Sequence, residues 1–272
     1  MMDPVLTQTV IIAGTGLVCG AILAIAAHFL AVHEDPQIEK ITALLPGINC
    51  GSCGYTGCAD YAKAVVSQSA PPNMCKPGGA ETITALANAL GVEAVIAERQ
   101  VALVLCNGDD SHAARTATYN GIADCLAAEF VGGSGKACRF GCMGLGTCSR
   151  ICPVQAIRLE QGLAIVDPVL CIACGKCVST CPRNLIKLIP ESRSIHVLCH
   201  SQDRGPDVKK VCSVGCITCT LCVKTCNGQG IAMEGQLAVV DYSVPLDNDL
   251  VIDKCPAHTI QKRSGLKPGN PA

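Results

Sequence analysis

Cys171-Ile172-Ala173-Cys174-Gly175-Lys176-Cys177-Val178-Ser179-Thr180-Cys181-Pro182 is the stretch on which this sequence turns. Three thiols, each separated by two residues, wrap three corners of a [4Fe-4S] cubane in one loop. The fourth cysteine starts the next helix and points to the other cluster of a pair. A second run, Cys216-x2-Cys219-x2-Cys222-x3-Cys226, has the same spacing but Asn227 in place of the proline. Zinc usually takes two C-x-x-C pairs per site rather than a triple run. Secreted disulfide scaffolds space their cysteines less regularly. Iron–sulfur ligation is the favoured reading, and a zinc-binding structural protein is the alternative.

An internal repeat extends the pattern. A shift of 74 residues lays Cys138 on Cys212, Cys142 on Cys216, Cys148 on Cys222 and Cys152 on Cys226. It continues through Gln155/Gln229, Ile157/Ile231, Leu163/Leu237 and Val166/Val240. Within the first copy, a shift of 29 lays Cys142 on Cys171, Cys148 on Cys177 and Cys152-Pro153 on Cys181-Pro182. Each copy therefore reads as a ferredoxin-like module of pseudo-twofold type, with short strands at 156–159 and 163–166 framing the clusters.

The copies are unequal. In the first, Leu145 holds the middle position of one triplet, and Cys138 is the expected substitute. Cys138, Cys142, Cys148 and Cys181 are assigned to one cluster, and Cys152, Cys171, Cys174 and Cys177 to the other. In the second copy Pro245, Asn248 and Val251 replace a whole triplet. One cluster remains there, on Cys216, Cys219, Cys222 and Cys255, and Cys226 is expected to be an orphan.

Cys50, Cys53, Cys58 and Cys75 form a separate site among Gly47, Gly51, Gly54, Gly57, Gly78 and Gly79. Glycine lets backbone approach a bulky cofactor and offer N–H groups to its sulfurs. A helix is expected over 60–67, and an Ala-rich one over 83–97. Cys106, Cys125, Cys199 and Cys212 remain as a further candidate metal site, with buried inert thiols as the other reading. Val104-Leu105-Cys106 and Val197-Leu198-Cys199 both read as strand ends that deliver a thiol to a loop. Cys19 lies in the N-terminal apolar run and reads as a small apolar residue.

That run has no Asp, Glu, Lys or Arg from Pro4 to Val32. At about 1.5 Å per residue, a helix over 10–32 spans roughly 30 Å of hydrocarbon. A cleaved signal peptide would want a positive start, but the chain begins Met1-Met2-Asp3. An uncleaved transmembrane helix is expected. Gly16 and Gly20 form a GxxxG step on it.

Composition removes other classes. The chain has 272 residues, 22 of them Cys, with a formal net charge of −1, 3% aromatic residues and no tryptophan. Nucleic-acid binding needs a positive field or stacking platforms, and neither is present. Gly132-Gly133-Ser134-Gly135-Lys136 lacks phosphate-loop spacing, and no GxGxxG follows a strand. His112, His196, His200 and His258 are scattered.

The motif Pro46-Gly47-Ile48-Asn49-Cys50-Gly51-x-Cys53-Gly54-x2-Gly57-Cys58-x2-Tyr61, with Cys75-x-Pro77-Gly78-Gly79, resembles the iron–sulfur domain of the B subunits of the Rnf family. So do Tyr119-Asn120-Gly121-Ile122-x2-Cys125 and Cys138-x3-Cys142-x-Gly144-x-Gly146-x-Cys148-x3-Cys152-Pro153. The resemblance implies a membrane-bound, ion-translocating complex that passes electrons between ferredoxin and NAD. Its partners would be other membrane and peripheral subunits and soluble ferredoxin. A related complex reduces a redox-sensing regulator instead. No independent catalytic site is expected in this chain. The expected fold is α+β, with a transmembrane anchor (1–32), a first [4Fe-4S] domain (33–95) and a connecting α/β segment (96–125). A two-cluster ferredoxin-like module (126–195), a degenerate one-cluster module (196–262) and a tail (263–272) follow. The cluster domains would face the cytoplasm, where thiols stay reduced. Three [4Fe-4S] clusters, a fourth in the degenerate module and a fifth at the leftover cysteines are the expected cofactors.

Overall fold

A computed structural model describes residues 4–29, 35–96 and 98–263. Helix α1, Pro4–Phe29, contains no charged carboxylate, amine or guanidine. Its Ile12, Leu17, Val18, Ile22, Leu23 and Ile25 are exposed. Among the described residues, however, no helix is long and apolar enough to cross a membrane. The membrane span expected within 1–32 is therefore not found among them. Leu30, Ala31 and Val32, the end of the apolar run, lie outside the described residues.

The first domain is three helices around one tyrosine. Asp35 accepts the Gln37 N–H at 2.9 Å and caps α2, Pro36–Leu44, while Pro36 supplies the fixed φ of a first helical turn. Helix α3 is Cys58–Val66, and α4 is Gly79–Leu90. Alanine spacing suggests that α4 should run to 97, but Gly91 at φ +67° ends it in a left-handed cap. Ile41, Tyr61, Val65 and Leu86 meet in the core. The Tyr61 hydroxyl donates to the Pro71 carbonyl at 2.8 Å and accepts from the Met74 N–H at 3.2 Å, tying down the loop that carries Cys75. Burial pushes this hydroxyl up to about 12, so it remains a donor.

The first ferredoxin-like module begins earlier than expected. Strand β1, Gln100–Val104, opens it. Helices α5, Cys125–Phe130, and α6, Thr147–Arg150, precede a hairpin of β2, Ile157–Glu160, and β3, Leu163–Val166. Helix α7, Lys176–Thr180, leads into β4, Ile186–Pro190, which pairs antiparallel with β1 along its whole length. The segment expected as a connector over 96–125 thus supplies the strand that closes the module. The sequence pattern marks the hairpin, because its turn is local. The pairing of β1 with β4 joins residues far apart in the chain and leaves no local signal.

The second module repeats the plan. Strand β5, Ile195–Val197, is followed by α8, Gly205–Val211, and α9, Leu221–Thr225. The hairpin of β6, Ile231–Glu234, and β7, Leu237–Val240, comes next. Helix α10, Leu250–Asp253, then precedes β8, Ile260–Lys262, which pairs with β5. Tyr242 packs against the cores of both modules, and its hydroxyl lies 3.2 Å from His196 Nδ1. Lys76 Nζ donates to Gln100 Oε1 at 3.2 Å and links the first domain to the first module.

Replacing Tyr61 by Phe leaves the Pro71 carbonyl and Met74 N–H without their partner. A loss of about 1–3 kcal/mol is expected in urea unfolding of the first domain, and an unchanged unfolding midpoint would contradict that role.

Candidate metal centres

Helix starts and strand ends bring the thiols together. In the first group, Cys50, Cys53, Cys58 and Cys75 line one cavity of about 330 Å³. Asn49 Oδ1 accepts the Cys58 N–H at 2.8 Å, fixing the start of α3. Asn49, Gly51 and Gly54 all adopt positive φ, which folds the loop back around the space. Burial, followed by the repulsion of its three companions, raises the Cys75 thiol, and the Gly78 N–H opposes this.

The second group is Cys152, Cys171, Cys174 and Cys177. Burial pushes Cys177 up to about 12, reinforced by repulsion from Cys171, Cys174 and Cys152. Backbone N–H groups reach its sulfurs: Ala102 donates to Cys171 Sγ at 3.4 Å and Ala156 to Cys152 Sγ at 3.3 Å. Lys76, next to Cys75, donates to Gln100 at the start of β1, and the Ala102 N–H of that strand donates to Cys171, so the first and second groups sit on adjoining elements.

The third group corrects the sequence reading. Cys142, Cys148 and Cys181 line a cavity of about 390 Å³, but the fourth thiol there is Cys125, not Cys138. Cys125 opens α5, whose first N–H groups are capped by Asp124 Oδ1. Thr147 Oγ1 donates to Asp124 Oδ2 at 3.0 Å and accepts the Cys125 N–H at 2.7 Å. This side-chain clamp sets Cys125 beside the loop in which Leu145 takes the place of a cysteine. Burial pushes Cys148 up to about 12, with Cys142, Cys125, Cys177 and Cys181 adding repulsion. Cys148 and Cys177 thereby join the third group to the second.

The fourth group, Cys216, Cys219, Cys222 and Cys255, lines a cavity of about 370 Å³. Burial pushes Cys222 up to about 11. Cys226 is not among the lining residues. It is buried with Ile195, Val197, Ile231, Leu246 and Val251, where side chains fill the space that a second cluster would take.

The remaining cysteines gather with the displaced one. Cys106, Cys138, Cys199 and Cys212 line a cavity of about 410 Å³ between the modules. Cys138 therefore stands where the sequence alone suggests Cys125. The 74-residue repeat gives no signal for this exchange: it pairs Cys138 with Cys212, but it lays Cys125, not Cys106, on Cys199. Cys106 and Cys199 correspond only as strand ends, one after β1 and the other after β5. Cys19 is exposed on α1.

Among the described residues, no group of three or more His, Cys, Asp or Glu could hold a single metal ion. The ligands of one zinc converge on a point about 2.3 Å from each sulfur. Cubane ligands each take a different iron, so they ring a space instead. The cavities, the inward backbone N–H groups and the glycines fit the second arrangement.

Paired helix–strand modules that ring such spaces with thiols define a class, the iron–sulfur proteins of ferredoxin type. Comparison with known proteins agrees. A family model described as "4Fe-4S binding domain" matches residues 164–187, and one described as "Putative Fe-S cluster" matches residues 45–77. The chain is 41% identical to the B subunit of the Na(+)-translocating ferredoxin:NAD(+) oxidoreductase complex of Acetobacterium woodii, over 96% of this chain and 78% of that one. It is 36% identical to the B subunit of the ion-translocating oxidoreductase complex of Methanosarcina acetivorans, over 97% and 100%. It is 39% identical to the B subunit of the proton-translocating ferredoxin:NAD(+) oxidoreductase complex of Clostridium ljungdahlii, over 96% and 93%. The chain belongs to this family, the B subunits of ion-translocating Rnf-type oxidoreductase complexes.

Proposed function

We propose that this chain relays electrons between ferredoxin and the NAD-reducing subunits of a membrane-bound complex. Its clusters would be held by Cys50/Cys53/Cys58/Cys75, Cys152/Cys171/Cys174/Cys177, Cys125/Cys142/Cys148/Cys181 and Cys216/Cys219/Cys222/Cys255. A bound [4Fe-4S] cluster supplies one-electron storage, and its potential is tuned by hydrogen bonds to sulfur and by exposure. The single observation that carries the reading is the adjacency of successive groups: α6 carries Cys148 of the third group just before Cys152 of the second, α7 carries Cys177 of the second just before Cys181 of the third, and Lys76 beside Cys75 bonds Gln100 on β1, the strand whose Ala102 N–H donates to Cys171. With four thiols assigned to each group, no ligand position is left for a substrate. Reduction of NAD⁺ to NADH takes two electrons and a proton, and that bond chemistry belongs to other subunits.

The chain's own groups orient and insulate. Backbone N–H groups of Ala102 and Ala156 stabilise sulfur charge. Buried apolar side chains such as Val104 and Ile186 keep water from the third group. Burial raises the proton affinities of Cys75, Cys142, Cys148, Cys174, Cys177 and Cys222, and ligation must expel those protons, so assembly weakens as pH falls. The exposed apolar side chains and uncharged sequence of α1 support an anchor over 1–32 that holds the cluster domains at the cytoplasmic face. Because α1 lacks Asp and Glu, ion passage is left to the membrane subunits.

In a purified complex, Cys53→Ser should abolish NAD reduction by reduced ferredoxin while leaving dye-driven NAD reduction by the other subunits intact. Undiminished ferredoxin-driven turnover would overturn the relay. Cys125→Ser should lose one cluster's iron, and adding Leu145→Cys should restore it, since Cys219 occupies the equivalent position in the second module. Failure of that rescue, with Cys138→Ser abolishing the same spectroscopic signal instead, would return the ligand to Cys138. A chain without residues 1–32 should move to the soluble fraction, and continued sedimentation with membranes would refute the anchor.

A further inference from the structure

The cavity between the two modules is built in the same way as the other four-thiol groups. Cys106 follows β1 and Cys199 follows β5. Each strand is extended by one more ladder bond, Leu105 N–H to the Leu185 carbonyl at 2.7 Å and Leu198 N–H to the Thr259 carbonyl at 2.9 Å. The other two thiols are brought in by a stitch. Residues 113–115 bridge to Cys212 on one side and to Lys136 on the other. Ala114 donates to the Val211 carbonyl at 2.9 Å and accepts from the Ala137 N–H at 2.8 Å. Cys138 and Cys212 thus face each other from opposite modules, as Cys106 and Cys199 do.

Three features point to a ligand in this space. First, backbone N–H groups are aimed at sulfur: Cys142 to Cys106 Sγ at 3.4 Å, Cys216 to Cys199 Sγ at 3.3 Å and Ser201 to Cys199 Sγ at 3.5 Å. Second, glycines keep the walls clear. A Cβ at Gly108 would lie 3.3 Å from Cys212 Sγ, and one at Gly141 would lie 3.4 Å from Cys138 Sγ and 3.7 Å from Cys106 Sγ. Third, a positive charge lines the cavity. The Lys136 side chain is 1% exposed, donates to the Gly108 carbonyl at 2.9 Å and the Gly162 carbonyl at 2.7 Å, and stands 3.7 Å from Asp110 Oδ1. Inert buried thiols have no need of a buried ammonium, whose desolvation is costly unless negative charge compensates it. Four thiolates around an iron–sulfur core would add to the compensation that Asp110 gives.

We propose that Cys106, Cys138, Cys199 and Cys212 ligate a further [4Fe-4S] cluster, and that it is the joint through which the two modules exchange electrons. The proposal rests on the relay reading above. On assembly from two ferrous ions, two ferric ions and four sulfides, the core carries a 2+ charge with no further oxidant, four cysteine S–H bonds give way to four Fe–S bonds, and four protons leave to solvent. The site then touches the third group through the Cys142 N–H on Cys106 and the fourth group through the Cys216 N–H on Cys199. The order in space becomes first, second, third, junction, fourth.

The test is anaerobic reconstitution of the full chain with equal ferrous and ferric iron and sulfide, followed by iron and acid-labile sulfide analysis and paramagnetic resonance of the reduced protein. The wild-type chain should hold about twenty irons at four per cluster. Cys106→Ser and Cys199→Ser should each lose about a fifth of them, together with one and the same resonance signal, and the double variant should lose no more. A wild-type content of about sixteen, unchanged in both variants, would overturn the junction cluster and leave the relay standing. A wild-type chain with almost no iron would overturn both. The wild-type count decides the matter even if a variant fails to fold.

Discussion

Thiols gathered in fours, each set ringed around a space rather than packed against one another, are the constraint on which everything else in this molecule depends. The chain has 3% aromatic residues and no tryptophan. Its modules are built on two-stranded pieces of sheet and helices of one or two turns, too little to bury a large core. Cys106, Cys171 and Cys177 instead sit inside the main apolar cluster beside Val104, Ile157 and Leu185. Filling these spaces with a cluster would supply the cohesion that side-chain packing does not, as in other small metal-dependent folds.

The same constraint explains the asymmetry of the two modules. The second module has Pro245, Asn248 and Val251 where a triplet would stand, and Leu246 and Val251 pack there with Cys226 in the apolar core. Burial among these apolar side chains raises that thiol. In the first module Leu145 stands at the middle of the triplet, the cavity stays open, and Cys125 lines it from outside the loop, positioned by Asp124 and Thr147.

Much of this is legible in the sequence because cluster motifs are local. The triplets, the repeats and the hairpins are written at short spacing, and so are the group at Cys50–Cys75 and the orphan position of Cys226. What escapes are the long-range arrivals. Nothing within ten residues of Cys125 says that it will meet Cys142, and Cys138 lies four residues from Cys142, which makes it the obvious substitute, whereas the cavity there is lined by Cys125. The pairing of β1 with β4 is hidden for the same reason. Gly91 is visible but is outweighed by alanine spacing, although a left-handed cap is a stronger stop than a helical propensity is a reason to continue.

Electron relay also asks where the line ends, and the lost triplet answers that. In the first module the third group has the second as its neighbour, through Cys148 and Cys177. The equivalent neighbour of the fourth group would stand on Cys226, Pro245, Asn248 and Val251, and that place is filled with apolar core. The fourth group therefore has protein on that side and, at Cys219, an exposed ligand on another. A chain of centres that stops against packed side chains can be entered or left at that end only through its solvent-facing edge. On the proposed ligation, the missing triplet would set the end of the line at the exposed Cys219 edge.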